Sequence, residues 1–124
     1  MIPQKRLLVI DDSESNTLLI RSLFEEKGNY KVDIIRQSSK AEDYFKNHHP
    51  DIILLDLMMP HVDGFQILTM VRSDQRLKNI PVIVVSAWND AENIRRSNEL
   101  GANDYISKPI NLEDLFERVE QFLR

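Results

Sequence analysis

The chain contains no cysteine among its 124 residues. That removes disulfide frameworks, thiolate zinc sites and thiol nucleophiles together, and it points to a reducing, cytoplasmic setting. Long hydrophobic runs are missing too. The N-terminus, MIPQKRLLVIDD, offers only a short apolar run before two acids, so neither a signal peptide nor a membrane span is expected there or elsewhere. Basic charge is scarce: 16 Lys and Arg stand against 20 Asp and Glu, for a net charge of −4. Domains that grip nucleic acid concentrate Lys and Arg to displace phosphate counterions, so no direct nucleic-acid binding is expected and any DNA-binding output must lie elsewhere. Glycine occurs only three times, at Gly28, Gly64 and Gly101, and no linker, low-complexity segment or repeat interrupts the chain.

What is present suits one globular domain over residues 1–124. With 42% hydrophobic and 29% charged residues, a chain of this length buries roughly two-thirds of its unfolded surface and needs no staple. Its apolar pattern alternates in kind. Short β-rich runs at 7–10, 32–35, 52–55, 82–85 and 105–106 are separated by segments with helical spacing. Leu19, Ile20, Leu23 and Phe24 form one helical stripe, Ala41, Tyr44 and Phe45 another, and Leu112, Leu115, Phe116, Val119 and Leu123 the clearest. Ser13, Asp63 and Asn111 are placed to cap helix N-termini, and Gly28 and Gly101 to end the first and fourth helices as left-handed C′ residues. The fourth helix, about 90–100, offers little beyond Ile94 and Leu100 for burial and is expected to be the least firmly docked.

Five alternating βα units predict a doubly wound α/β fold, a parallel sheet with right-handed crossovers and helices on both faces. For five strands the common order is 2-1-3-4-5, with a ligand crevice at the carboxyl ends of the first and third strands. Asp11 and Asp12 end the first strand, Asp56 the third and Ser86 the fourth, and Lys108 follows the fifth. The second strand ends on Gln37 and Ser38 and gives nothing comparable. Singly, an Asp at a strand-to-helix junction is an N-cap or a solvated loop residue more often than not, and a lone Ser or Lys at a strand end is uninformative. Together they converge on one edge. Three carboxylates within about 6 Å repel by roughly 3 kcal/mol per pair at an effective dielectric near 20, so the cluster calls for a cation. With oxygen ligands only, Mg²⁺ is the natural choice, and Mg²⁺ with a Lys and a Ser describes a phosphoryl site. Asp56 is central, and its carboxylate can form an acyl phosphate.

The set IDD at 10–12, DLMMPHVDG at 56–64, SA at 86–87 and YISKP at 105–109 resembles the receiver domain of two-component response regulators, over essentially the whole chain. The resemblance implies a flavodoxin-like (βα)5 fold and a phosphorylation-controlled switch. It implies a sensor histidine kinase or histidine phosphotransfer protein as donor, and a downstream protein or tethered output domain as target. Residue by residue, it makes Asp56 the phosphoacceptor, Asp12 a direct Mg²⁺ ligand, Asp11 a ligand acting largely through water, and Met58 a donor of its carbonyl oxygen. Ser86 would bind a phosphoryl oxygen, Lys108 would pair with the phosphoryl charge, and Tyr105 would swing inward as Ser86 moves, altering the surface of the fourth helix, fifth strand and fifth helix. Pro109 implies a cis Lys108–Pro109 peptide, and Pro60 and Gly64 shape the loop after the acceptor. Met58 and Trp88 occupy positions where the family varies. The chain ends as the fifth helix completes, as expected of a stand-alone regulator or of a receiver cut from a longer protein.

Other readings are weaker. A haloacid-dehalogenase-type phosphatase also uses a strand-end Asp with Mg²⁺, but its DxDx[TV] pattern needs a second acid where this chain has Met58. The chain is therefore expected to hold a phosphoryl group rather than turn over substrates. A flavodoxin-like electron carrier would bind flavin phosphate after the first strand, where DDSES would repel it. A phosphorylation-independent module would not need the acceptor, acid pair, Ser and Lys intact. His48 and His49 are adjacent and would point about 100° apart on a helix, which suits a solvated helix end better than a metal site. His61 is read as exposed loop, and Met58–Met59 as no soft-metal site. Trp88, two residues past Ser86, is placed to shield the phosphoryl group from water or to meet a partner.

Overall fold

Leu7, Leu8, Val9 and Ile10 are all buried, as are all four residues from Ile52 to Leu55, and a strand apolar on both faces must be covered on both. The computed structural model describes residues 3–124. It runs β1 (Lys5–Ile10), α1 (Glu14–Lys27), β2 (Tyr30–Ile35), a single 3₁₀ turn (Ser38–Lys40), α2 (Ala41–Asn47), β3 (Ile52–Leu55), α3 (Gly64–Ser73), β4 (Val82–Ser86), α4 (Ala91–Glu99), β5 (Asp104–Ser107) and α5 (Leu112–Leu123). The strands form one parallel sheet in the order β2-β1-β3-β4-β5, the predicted topology.

The two sheet faces divide the core by strand alternation. Leu7, Val9, Ile52 and Leu54 pack with Ile20 and Phe24 of α1 and with Leu115, Phe116 and Val119 of α5. Leu8, Ile10, Ile53 and Leu55 pack on the other side with Ala41 and Phe45 of α2 and Ile67, Leu68 and Val71 of α3. Register then fixes the functional edge. Ile10 lies beside Leu55, so Asp11 and Asp56 leave the sheet side by side, and Ser86 lies beside Ser107, one residue before Lys108.

The three predicted N-caps hold: Ser13, Asp63 and Asn111 accept from the amides of Asn16, Gln66 and Asp114, and Asp63 with Gln66 completes a capping box. Asp90 caps α4 in the same way through Asn93. Gly101 is left-handed at φ +103, as expected. Gly28 is not: it is extended at φ −133 and ψ 179. Its reason for being glycine is space, because a Cβ there would stand 2.6 Å from the Tyr30 ring and 3.3 Å from Phe116. Phe24, Tyr30 and Phe116 pack edge and face around it. In α4 only Ser97 is fully buried, while Ile94 and Leu100 are half-buried, so the thin anchoring read from its sequence is present.

Candidate functional site

Every functional candidate sits where a β-strand releases the chain. Asp11 follows β1 with its amide bonded to the Ile35 carbonyl (3.0 Å), and the Asp56 amide donates to Ile10 at 2.9 Å, so the ladder that builds the sheet also aims both carboxylates. Asp11 and Asp56 are 3% and 4% exposed, and Asp12 is open to solvent. Carboxylate oxygens of Asp11, Asp12 and Asp56 lie within 4.8 Å of one another. Lys108 reaches between two of them, its Nζ 2.9 Å from Asp11 Oδ2 and 3.2 Å from Asp56 Oδ2. The Met58 amide donates to Asp56 Oδ1 at 3.2 Å and the Ser13 amide to Asp11 Oδ1 at 2.9 Å.

The electrostatics follow from this packing. Burial pushes the Asp56 carboxyl above the ordinary carboxylate range, the Asp11 charge adds to that, and Lys108 and the Met58 amide oppose it. Burial works against the Lys108 ammonium, but its hydrogen bond to Asp11 and the charges of Asp56 and Asp11 outweigh it and hold its pKa raised. Lys108 thus pairs with two of the three carboxylates, which leaves excess negative charge at a partly closed site.

The loop from Leu57 to Asp63 is shaped by two contacts. A Cβ at Gly64 would meet the Asp56 carbonyl oxygen at 2.4 Å and the Leu57 Cα at 2.7 Å, so only glycine lets α3 start against the backbone that follows β3. Ser38, which the sequence reading passed over with the end of β2, is buried. Its hydroxyl donates to the Pro60 carbonyl (2.8 Å) and accepts the Val62 amide (3.1 Å), clamping the loop that carries Met58. A lone serine after an outer strand carries no mark of that role in sequence. Within the loop His61 is exposed at φ +73.

On the other side, Ser86 is fully buried at the end of β4, and its hydroxyl accepts the Trp88 amide at 3.1 Å. The Tyr105 hydroxyl donates to the Trp88 carbonyl, and its half-buried ring packs on Leu57, Phe65 and Val84 together with Trp88. The Trp88 ring stacks on Phe65 (centroids 6.5 Å apart), and the Arg96 guanidinium of α4 lies 4.0 Å from that same ring. The Lys108–Pro109 peptide is cis. His48 and His49 do not converge on any acid pair: His48 stacks on Tyr44, and His49 meets the Arg76 carbonyl. Among the described residues, no helix is long and apolar enough to cross a membrane.

Comparison with known proteins agrees with this geometry. The model of the response regulator receiver domain matches residues 7–120. The polar-differentiation response regulator DivK of Brucella ovis is 36% identical over 122 residues, 96% of each chain. A CheY-like response regulator receiver domain protein from Methanospirillum hungatei superposes with a TM-score of 0.90 at 26% identity, over 98% of this chain and 94% of that one. The receiver domain of a signal transduction histidine kinase from Syntrophus aciditrophicus does so with a TM-score of 0.88 at 29% identity, over 96% and 89%.

Proposed function

This chain belongs to the response regulator receiver domain family, and on that premise we propose that Asp56 is the residue through which its phosphorylation-dependent signalling switch is thrown. The observation that carries the assignment is the placement of the buried Asp56 carboxylate beside Asp11, with Lys108 Nζ 3.2 Å from it. A carboxylate oxygen of Asp56 forms a bond to phosphorus as the phosphorus–nitrogen bond of a donor phosphohistidine breaks, and the electron pair leaves with the imidazole. Lys108, already between Asp56 and Asp11, is in reach of the added charge. The Ser86 hydroxyl, whose oxygen accepts the Trp88 amide, has its O–H to donate to a phosphoryl oxygen, and the donor of the phosphoryl group is a sensor histidine kinase or a histidine phosphotransfer protein.

The residues fit Mg²⁺. The donor set is all oxygen, three carboxylates lie within 4.8 Å, and the exposed Asp12 leaves an approach for a hydrated ion. Asp11, Asp12, Asp56 and the Met58 carbonyl would hold it, and when bound it supplies positive charge that a phosphoryl group and three carboxylates require. Phosphorylation is read out through α4, β5 and α5, to which Ser86 is tied by Trp88 and Tyr105. The target is a downstream protein or a tethered output domain rather than nucleic acid, and the chain is a single receiver domain acting in the cytoplasm. Apart from transfer to itself and loss of its own phosphoryl group, it turns over no substrate.

Intact-mass measurement after incubation with Mg²⁺ and acetyl phosphate tests the assignment. The wild type should gain one base-labile phosphoryl group and Asp56→Asn none. Equal labelling of the variant would move the acceptor elsewhere.

A further inference from the structure

The chain is acidic, yet three of its cations gather at one cavity away from the carboxylate cluster. Arg21 of α1, Arg36 and Gln37 just past β2, and Lys40 of the 3₁₀ turn line a concavity of about 460 Å³ floored by Ile34 and Ile35. Among the described residues none of the three cations has an ion-pair partner. Two of the guanidiniums are held in place by neutral acceptors: Arg21 Nη2 donates to the Val32 carbonyl (3.2 Å) and Arg36 Nε to Thr17 Oγ1 (3.3 Å). Such bonds fix direction without neutralising charge, so remaining N–H donors stay available for an acceptor. Guanidinium and ammonium groups gathered around a hollow with no carboxylate among its lining make a positive patch that can offer an anion charge-assisted hydrogen bonds.

We propose that this cavity is a binding site for a small multivalent phosphate-class oxyanion, such as a di- or triphosphate chain, separate from the Asp56 site. Its volume falls within the range of about 300–1,000 Å³ common for small-ligand pockets. The concavity is open to solvent, which suits a highly charged, hydrated ligand. The donors suit phosphate oxygens, since guanidinium forks and an ammonium provide N–H groups only. No aromatic side chain lines it, so recognition rests on the phosphate chain rather than on stacking a base. Arg36 and Gln37 also line a second cavity of about 330 Å³ that continues past Ser38 and Ser39 to His61 and Asp12. An anion seated on Arg36 would alter the field at Asp12, which lines the neighbouring cavity with it.

The test uses tripolyphosphate as probe, in buffer without divalent cations, with nitrogen-15 NMR of the whole chain and calorimetry. Shifts are expected at the Arg21 and Arg36 guanidiniums and at the amides of residues 34–40, with a dissociation constant below about millimolar. The Arg36→Gln and Lys40→Gln variants should each bind about tenfold more weakly, while Lys78→Gln, which removes the same charge from a distant loop, should bind as the wild type does. Three results would overturn the site: no saturable binding, equal weakening by Lys78→Gln, or binding of an oligoglutamate peptide without binding of tripolyphosphate, which would make the patch a docking face for an acidic protein. Repeating the titration with Lys108→Gln separates the two sites, because Lys108 is the cation of the carboxylate cluster and loss of binding there would assign the anion to the phosphorylation site instead.

Discussion

Ser38 and Asp33 show how single polar side chains hold this molecule away from the sheet edge. Truncating Ser38 removes two buried hydrogen bonds but leaves the Val62 amide bonded to the Pro60 carbonyl (3.0 Å), so Ser38→Ala should cost about 1 kcal/mol in urea unfolding. Because the clamped loop carries Met58, the same change should weaken Mg²⁺ binding several-fold, followed by the fluorescence of Trp88, the single tryptophan. Lower stability with unchanged Mg²⁺ affinity would make Ser38 structural only. Asp33 accepts from Arg6 Nη1 (2.8 Å) and the Tyr44 hydroxyl (2.7 Å). Burial pushes its carboxyl up, but these two partners outweigh burial and hold it below the ordinary value. A carboxylate depressed in the folded state stabilises above its unfolded pKa and loses that contribution as pH falls through the folded one. Asp33→Asn should therefore cost about 1 kcal/mol at neutral pH, with the gap to wild type closing in urea titrations carried into acid below the usual carboxylate range.

At the scale of elements, α4 is the helix with least to hold it. Its buried face is one serine, and its exposed side carries Arg95 paired with Glu92 and Glu99. Those surface pairs contribute little, so the Arg96 contact over Phe65, worth roughly 0.5–1 kcal/mol at a partly exposed site, is a large share of its docking. Amide exchange should be faster in α4 than in any other helix. Arg96→Gln should speed it further with little change in global stability, and a uniform acceleration across all helices would count against local docking. The two helix-ending glycines should also fail differently. Gly101→Ala meets a left-handed φ and the Arg72 side chain and should cost about 1–2 kcal/mol in any background. Gly28→Ala collides with the Tyr30 ring and should cost about 1–3 kcal/mol, most of which should vanish when Tyr30 is first cut to Leu.

For the molecule as a whole, the sheet edge is a place where function is set against stability. Lys108 pairs with Asp11 and Asp56 but not with Asp12, which lies beside them, and Asp12 takes no part in capping α1, which Ser13 does. Asp12→Ala should therefore raise the metal-free melting temperature while shrinking the further rise that Mg²⁺ gives the wild type by binding only the folded state. A lowered metal-free melting temperature would mean that Asp12 supports the fold.

The sequence by itself determined the fold class, the strand positions and the residues that meet at the carboxylate edge, because period-two and period-3.6 patterns are local and because Asp, Ser and Lys at successive strand ends converge when the strands are parallel. It also named three N-caps correctly, since a cap acts within one turn of its own position. It misjudged Gly28, because left-handed backbone and crowding by a ring both select glycine and only the packed Tyr30 and Phe116 tell them apart. It passed over Ser38 and the Arg96–Phe65–Trp88 stack, whose partners lie more than twenty residues away or on another helix. Tertiary structure alone also brought Arg21, Arg36 and Lys40 to one cavity. Charge along a chain is a sum, whereas its convergence depends on which helices the sheet places side by side.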